Sequence, residues 1–399
     1  MDTATIHIET EIRSTERSRT KLVPTLRFNE FDTCWNIRTI GSVCNMKAGN
    51  FVKASEIFEE KLEGMFPCYG GNGLRGFTKT SNQDGKFSLI GRQGAHCGNI
   101  KLANGKFYAT EHAIVVSLSE EYDTDWIFYL LYNSNLNQYS TGQAQPGLSV
   151  KNLEKINVII PPSLIEQQKI ASFLSAVDKK IQQLSKKKAL LEQYKKGVMQ
   201  QLFSQKLRFK DEQGKDYPDW EEKRLLEFCK FFSGGTPSST NKEYYNGKIP
   251  FIGSGNIYDS EVFSFISEVA FNSSSAKLVE KGDLLYALYG ANSGESAISK
   301  LEGAINQAIL CIRTKESIEY LNYILVSNKD KIVSKYLQGG QGNLSAQIIK
   351  KLKYKFPCLE EQQKIASYLS AIDSKIESVS NQISQTQSFK KGLLQQMFI

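Results

Sequence analysis

The stretch "IEQQKIASFLSAVDKKI" at residues 165–181 returns as "EEQQKIASYLSAIDSKI" at residues 360–376. At a constant offset of 195 the two copies align without a gap, Pro162–Phe203 against Pro357–Phe398, and about half of the aligned positions are identical. The matches include Glu166/Glu361, Gln167/Gln362, Gln168/Gln363, Ala171/Ala366 and Asp178/Asp373. A duplication this strong constrains the fold more than any local propensity, because a repeated sequence calls for a repeated structure.

Each copy carries a helical seam. From Ile170, steps of four and three residues reach Leu174, Val177, Ile181, Leu184, Lys188, Leu191, Lys195, Val198 and Leu202. From Ile365 they reach Leu369, Ile372, Ile376, Val379, Ile383, Thr386, Lys390, Leu393 and Met397. An apolar repeat of 3.5 residues is the mark of a coiled-coil seam, and five heptads make a rod ~50 Å long. The polar steps fall at matching places, so there the seam either loosens or passes to Tyr194 and Phe389. A lone copy would leave its stripe exposed, which predicts that the two helices pair with each other. An antiparallel pairing would relate the halves by a pseudo-twofold axis. Ser163 followed by Glu166 reads as a capping box; the second copy has Cys358 at the cap position and keeps Glu361.

Weaker echoes precede the helices. "LRF" at 26–28 returns at 207–209, "PCYGGNG" (67–73) resembles "PFIGSGN" (250–256), and "GAHCGNI" (94–100) resembles "GANSGES" (290–296). "GLS" at 147–149 matches "NLS" at 343–345. Short apolar runs among Gly/Asn-rich turns ("FSLIG", "HAIVVSL", "NVII"; "DLLYALYG", "QAILCIRT", "KYKF") read as strands. "DTDWIFYLLYNS" and "SIEYLNYILVSN" read as helices in matching positions. The expected fold is therefore α+β: a lead-in at 1–20, a β-rich mixed unit at 21–161, a helix at 162–206, a second unit at 207–356 and a second helix at 357–399.

The totals exclude several classes. No run of about 18 apolar residues suggests a membrane span, and the N-terminus lacks the apolar core of a signal peptide. Seven scattered cysteines without a C-x-x-C pair point to reduced thiols in the cytoplasm rather than to a disulfide framework or zinc site. His7, His96 and His112 are too dispersed for a metal cluster. There is no P-loop, no G-x-S-x-G elbow, and no motif for a cofactor-binding βαβ unit. "PDWEEK" (218–223) is too compact to place two carboxylates and a lysine around one metal. A formal net charge of +8 permits an anionic partner. What remains are turn-rich segments loaded with groups that read base edges: Asn and Gln for adenine, Arg for guanine, and glycines that admit close approach. Three functions suit such a chain to different degrees: a DNA-recognition subunit with two reading heads, an adaptor whose heads bind proteins, and a modification enzyme, for which the motifs are lacking.

The duplicated helices, "PPSLIEQQKIASFLSAVDKKI…YKKGVMQQLF" and "FPCLEEQQKIASYLSAIDSKI…FKKGLLQQMF", resemble the spacer helices of type I restriction enzyme specificity subunits. "FFSGGTPSSTNKEYYNGKIPFIGSGNI" is similar to a common opening of that family's target recognition domains. "PCYGGNGLRGFT" with "SLIGRQGAHCGNIKLANGKFYATEHAIVV" is similar to another. The resemblance implies a subunit with no catalysis or cofactor of its own. It would assemble on double-stranded DNA, and not on a membrane, with two modification (methyltransferase) subunits and two restriction subunits, which use S-adenosylmethionine, ATP and Mg. Each recognition domain would read one half of a split, asymmetric target, and the helices would set the gap and dock the methyltransferases. On this footing the expected DNA-reading residues of the first half are Tyr69, Asn72, Arg75, Lys79, Arg92, Gln93, His96 and Gln143. Those of the second are Thr236, Ser238, Thr240, Ser254, Asn256, Tyr258, Tyr289 and Asn292.

Overall fold

The computed structural model describes residues 22–94, 96–142, 146–337 and 343–399, so the lead-in at 1–20, His7 and Gln143 lie outside the described residues. The chain divides into two compact units, Met1–Ser185 with Asn381–Ile399, and Lys186–Ser380. Four helices organise them: α1 (Thr124–Asn133), α2 (Leu164–Phe203), α3 (Ile318–Leu337) and α4 (Leu359–Met397). Both long helices contribute segments to both units. No helix among the described residues is long and apolar enough to cross a membrane.

In the first unit, β1 (Asn36–Thr39) pairs with a late strand, β8 (Asn157–Ile160). Between them lie β2 (Cys44–Ala48), β3 (Phe66–Gly70), β4 (Gly73–Thr78), β5 (Gln83–Gly91), β6 (Ile100–Ala109) and β7 (Ala113–Leu118). These six form one sheet in the order β2-β7-β5-β6-β3-β4. Its ladders are antiparallel except β3·β6, which is parallel. β7 and the end of β5 are apolar on both faces, and both faces are covered there. Ile90, Ile114 and Val116 share a core with Trp126, Ile127, Leu130 and Leu131 of α1. The alternate residues Leu89, Ala113 and Val115 join Ala103 and Phe107 in a smaller core on the other side.

The second unit repeats this plan with one break. β9 (Glu221–Arg224) pairs with β18 (Lys353–Phe356). β10 (Cys229–Ser233), β14 (Leu284–Ala287), β15 (Ser296–Ile298) and β17 (Ile309–Thr314) form a sheet in the order β10-β17-β14-β15. β11 (Ile249–Ile252), β12 (Phe265–Ile266), β13 (Lys277–Val279) and β16 (Gly303–Ile305) form another, β12-β11-β16-β13. The parallel pair survives as β11·β16. The long β5–β6 pair of the first unit is split here into β14–β15 and β13–β16, interrupted at residues 280–283 and 299–302. Leu284, Tyr286, Leu310 and Ile312 pack with Tyr320, Leu321 and Ile324 of α3, while Leu285, Ala287, Ile309 and Cys311 pack with Ile252 and Ile305.

Within each unit the segments of α2 and α4 are antiparallel. In the first, Ile170, Leu174 and Val177 share a core with Leu393, Leu394 and Met397. Lys390 Nζ donates to Asp178 Oδ1 at 2.6 Å, and farther along Phe398 stacks on Trp126 at 5.7 Å. In the second, Val198, Met199 and Leu202 meet Ile365, Leu369 and Ile372, and Lys195 Nζ donates to Asp373 Oδ1 at 2.5 Å. Residues 178 with 390 and 195 with 373 share the sum 568, so both units use one register.

The polar steps do not pass the seam to Tyr194 and Phe389, which stay 50% and 55% exposed. Two of them, Lys390 in the first unit and Lys195 in the second, each enter a charged cluster instead. Tyr129 donates its hydroxyl to Asp178 Oδ2 at 2.7 Å, and Tyr323 donates to Asp373 Oδ2 at 2.7 Å. Lys390 lies 5.3 Å from the Tyr129 ring centre and Lys195 lies 5.0 Å from that of Tyr323. A lysine can hold a seam position because its stem packs while its ammonium meets the carboxylate. Burial, with the hydrogen bond to aspartate, pushes both phenols up from their ordinary range.

The repeated Glu-Gln pair is an anchor rather than a closed capping box. Ser163 Oγ does accept the Glu166 backbone N–H at 3.3 Å. The Glu166 carboxylate, however, is buried and accepts from Arg27 Nε at 2.7 Å, Arg27 Nη2 at 2.8 Å and Trp35 Nε1 at 3.2 Å. Glu361 does the same with Arg208 (3.2 and 2.8 Å) and Trp220 (3.0 Å). A carboxylate with a bidentate guanidinium in reach is held there rather than returning to its own N-cap. The neighbouring Gln167 accepts the N–H of Asp123, the residue capping α1, and Gln362 accepts that of Ser317, which caps α3. Each long helix is thereby fastened to the sheet-packed helix of its unit.

Candidate nucleic-acid interface

In both units the loops that follow the parallel strands and the central strand gather at one end of the sheet. The loop after β5 and the loop after β14 have the same backbone at an offset of 196. Gly94 and Gly290 sit at φ +89° and +90°, and Gly98 and Gly294 both at +86°, a region that favours glycine. The hydrogen bonds correspond as well: Gly98 N–H to Gly91 O at 2.8 Å and Gly294 N–H to Ala287 O at 2.9 Å. Leu148 N–H reaches Arg92 O at 2.8 Å, and Leu344 N–H reaches Leu288 O at 2.9 Å. The backbone is common to both units, and the side chains on it differ.

In the first unit this scaffold brings together Asn72, Arg92, Gln93 and His96. Asn99 Nδ2 donates to Asn72 Oδ1 at 3.2 Å, joining the β3–β4 turn to the loop after β5. Arg92 donates its backbone N–H to His112 O at 2.8 Å and Nη1 to Glu111 O at 3.4 Å. Gln93 forms a bridge to Gly147. Asn72, Gln93 and His96 are exposed, as is Arg75 on β4. Tyr69 instead turns its ring edge-on to Phe107 at 5.5 Å, and Lys79 lies over Phe58 at 5.8 Å. Gly91 is needed for the loops to close, since a Cβ there would lie 2.0 Å from Gly71 O.

In the second unit Asn292 Nδ2 donates to Ser254 O at 3.1 Å, tying the loop after β14 to that after β11. Tyr258 donates to Glu295 Oε2 at 2.5 Å, and Glu295 also accepts from Lys329. Burial works to raise the Glu295 carboxyl, but Lys329 and Tyr258 bring it below its usual range. Thr236 donates to Gln307 Oε1. Ser238 and Thr240 hydrogen-bond to each other at 2.7 Å, and Asn256 Nδ2 donates to Asp259 at 2.9 Å.

As members of these loop clusters, sequence reasoning misses Asn99, Glu111, Glu295, Gln307 and Lys329, and it weighs His112 only as a metal ligand. The expected strands "HAIVVSL" and "QAILCIRT" begin only at Ala113 and Ile309, and the residues just before them form turns beside the loop scaffold. The signal that could have found them is the offset of 196 between the two loops, one residue off the helix offset of 195.

Comparison with known proteins agrees with this arrangement. Residues 33–193 and 217–386 each match the type I restriction modification DNA specificity domain. The chain is 44% identical over 154 residues to the EcoprrI specificity subunit of Escherichia coli, covering 38% of each chain. It is 28% identical over 391 residues to the MjaVIII specificity subunit of Methanocaldococcus jannaschii, covering 90% of this chain and 91% of that one. In fold it is similar to the S subunit of a type I restriction-modification system from M. genitalium, with a TM-score of 0.67 and 19% identity over 94% of this chain and 99% of that one. Carrying two copies of the specificity domain over most of its length, the chain belongs to the type I restriction modification DNA specificity family.

Proposed function

We propose that this chain is the DNA sequence-specificity subunit of a type I restriction-modification complex, each unit reading one half of a bipartite, asymmetric target. The observation that carries this reading is one loop scaffold built twice with different edge-reading side chains: Gln93 and His96 stand where Tyr289 and Asn292 stand, while Arg92 has the buried Leu288 in its place. A common backbone fixes how a loop meets the groove, and the side chains choose the base. Two units joined in one chain make the second contact effectively intramolecular, so avidity rises without new contacts.

The chain itself supplies no catalysis or cofactor. Two methyltransferase subunits bring S-adenosylmethionine, and two restriction subunits bring ATP- and Mg-dependent translocation and cleavage. Methylation falls on an adenine in each half, on opposite strands. The complex works in the cytoplasm, where the seven free cysteines of the chain stay reduced.

The helices set the unread gap. Removing one heptad from each, Gln183–Ala189 and Val379–Gln385, keeps the register common to both units. It shortens each rod by about 10 Å, which is on the order of three base pairs of DNA. Methylation profiling of a host carrying the shortened chain and its methyltransferase is expected to show a shorter gap between unchanged half-sequences. Changed half-sequences with the original gap would sink this reading.

A further inference from the structure

Glu111 and Gln307 occupy the same place in the two units, at the turn after the strand that pairs in parallel. Arg92 N–H reaches His112 O at 2.8 Å, and Leu288 N–H reaches Ala308 O at 2.8 Å, which fixes the offset of 196 at the next residue. Ala113 N–H closes on Thr110 O, and Ile309 N–H closes on Asn306 O, so the turns themselves correspond. Both side chains sit among the loops already described. The chemistry differs. Gln307 Oε1 accepts from Thr236, a residue of the second candidate set. Glu111 Oε1 lies 3.1 Å from His112 Nε2, while its Oε2 is buried and has no hydrogen-bond partner among the described residues. That oxygen is closed to solvent, so a donor on DNA meets it only when the partly exposed side chain turns, and left unmatched it costs free energy.

Resting on the specificity reading above, we propose that Glu111 and Gln307 are specificity-determining residues at equivalent positions of the two half-sites, and that Glu111 reads an exocyclic amino group. An ionised carboxylate only accepts, so it suits the N4 amine of cytosine. It cannot also donate to adenine N7, as an amide can. Gln307 offers both a donor and an acceptor and suits adenine. The two half-sites therefore differ in the base at this position because one fold position carries an acid in one unit and an amide in the other.

The test is methylation profiling of the full chain with its methyltransferase, for wild type, Glu111→Gln and Gln307→Glu. Glu111→Gln is expected to lower the preference at one base of the first half-site by roughly ten- to a hundredfold. The second half-site and the gap should be unchanged, and Gln307→Glu should do the reverse. Thermal unfolding of each variant separates this from loss of structure: a variant that unfolds like wild type yet leaves its half-site unaltered overturns the proposal. Equal loss at every base of both half-sites overturns it too. If Glu111→Gln fails to fold, the reciprocal variant alone decides, because Gln307 must then control one base of the second half-site. A wild-type profile with no bipartite motif would defeat the specificity reading itself, whereas a bipartite motif indifferent to both variants defeats only this inference.

Discussion

Replacing Arg27 with methionine should destabilise the first unit far more than loss of a surface ion pair would. The Glu166 side chain is 1% exposed and that of Arg27 is 11% exposed, so the pair is held out of water. Removing the guanidinium takes away both short donors at 2.7 and 2.8 Å and leaves the carboxylate with Trp35 Nε1 at 3.2 Å as its remaining side-chain donor. Breaking a buried pair from one side costs about 3–5 kcal/mol. In a unit of this size that is a fall of about 6–20 °C in midpoint. Arg27→Met with Glu166→Met should recover most of it, because an apolar pair of similar volume carries no desolvation cost. The residue of about 1–3 kcal/mol comes from the orphaned indole N–H of Trp35. Urea and thermal unfolding followed by tryptophan fluorescence read both numbers. A single-variant loss below about 1 kcal/mol, as for an exposed salt bridge, would refute the argument that Glu166 anchors α2 to its unit.

Other outcomes follow from the same geometry. Asp178→Lys should weaken the first unit by placing two ammonium groups on one seam, and adding Lys390→Asp should restore much of the loss. A double variant no better than the single one, by unfolding midpoint, would mean that the pair does not hold the register. In the second unit, burial works to raise the Asp283 carboxyl, but Arg313 and the backbone N–H of Glu280 bring it below its unfolded value. A depressed folded pKa means that the stabilisation is present above about pH 4, the unfolded value, and is lost as pH falls through the folded one. Asp283→Asn should therefore flatten the acid limb of a stability–pH curve, and an unchanged limb would contradict that.

Much of the fold was legible because it rests on periodicity. The seam from Ile170 to Leu184 and from Ile365 to Val379 follows 3.5 spacing, and "NVII" and "KYKF" are β8 and β18 residue for residue. The two places where sequence reasoning went elsewhere are both polar. Glu166 carries a capping signature, and nothing local reveals that Arg27, 139 residues away in the chain, claims its carboxylate. Lys195 and Lys390 read as weak points in a seam because the partners that make them fit, Asp373 with Tyr323 and Asp178 with Tyr129, come from other elements. The loop residues were harder still. Composition marks a turn as able to read bases, but which side chains are spent on internal hydrogen bonds, as with Tyr258 on Glu295, depends on contacts across the fold.

The central claim is that two heads on one chain read two halves of a split sequence. Methylome sequencing of a host expressing this chain with its methyltransferase tests it directly. An asymmetric motif of two short half-sequences with a fixed gap, one adenine methylated in each half on opposite strands, is the predicted result. No new methylated motif, or one continuous symmetric motif, would contradict the account and favour an adaptor whose heads bind proteins.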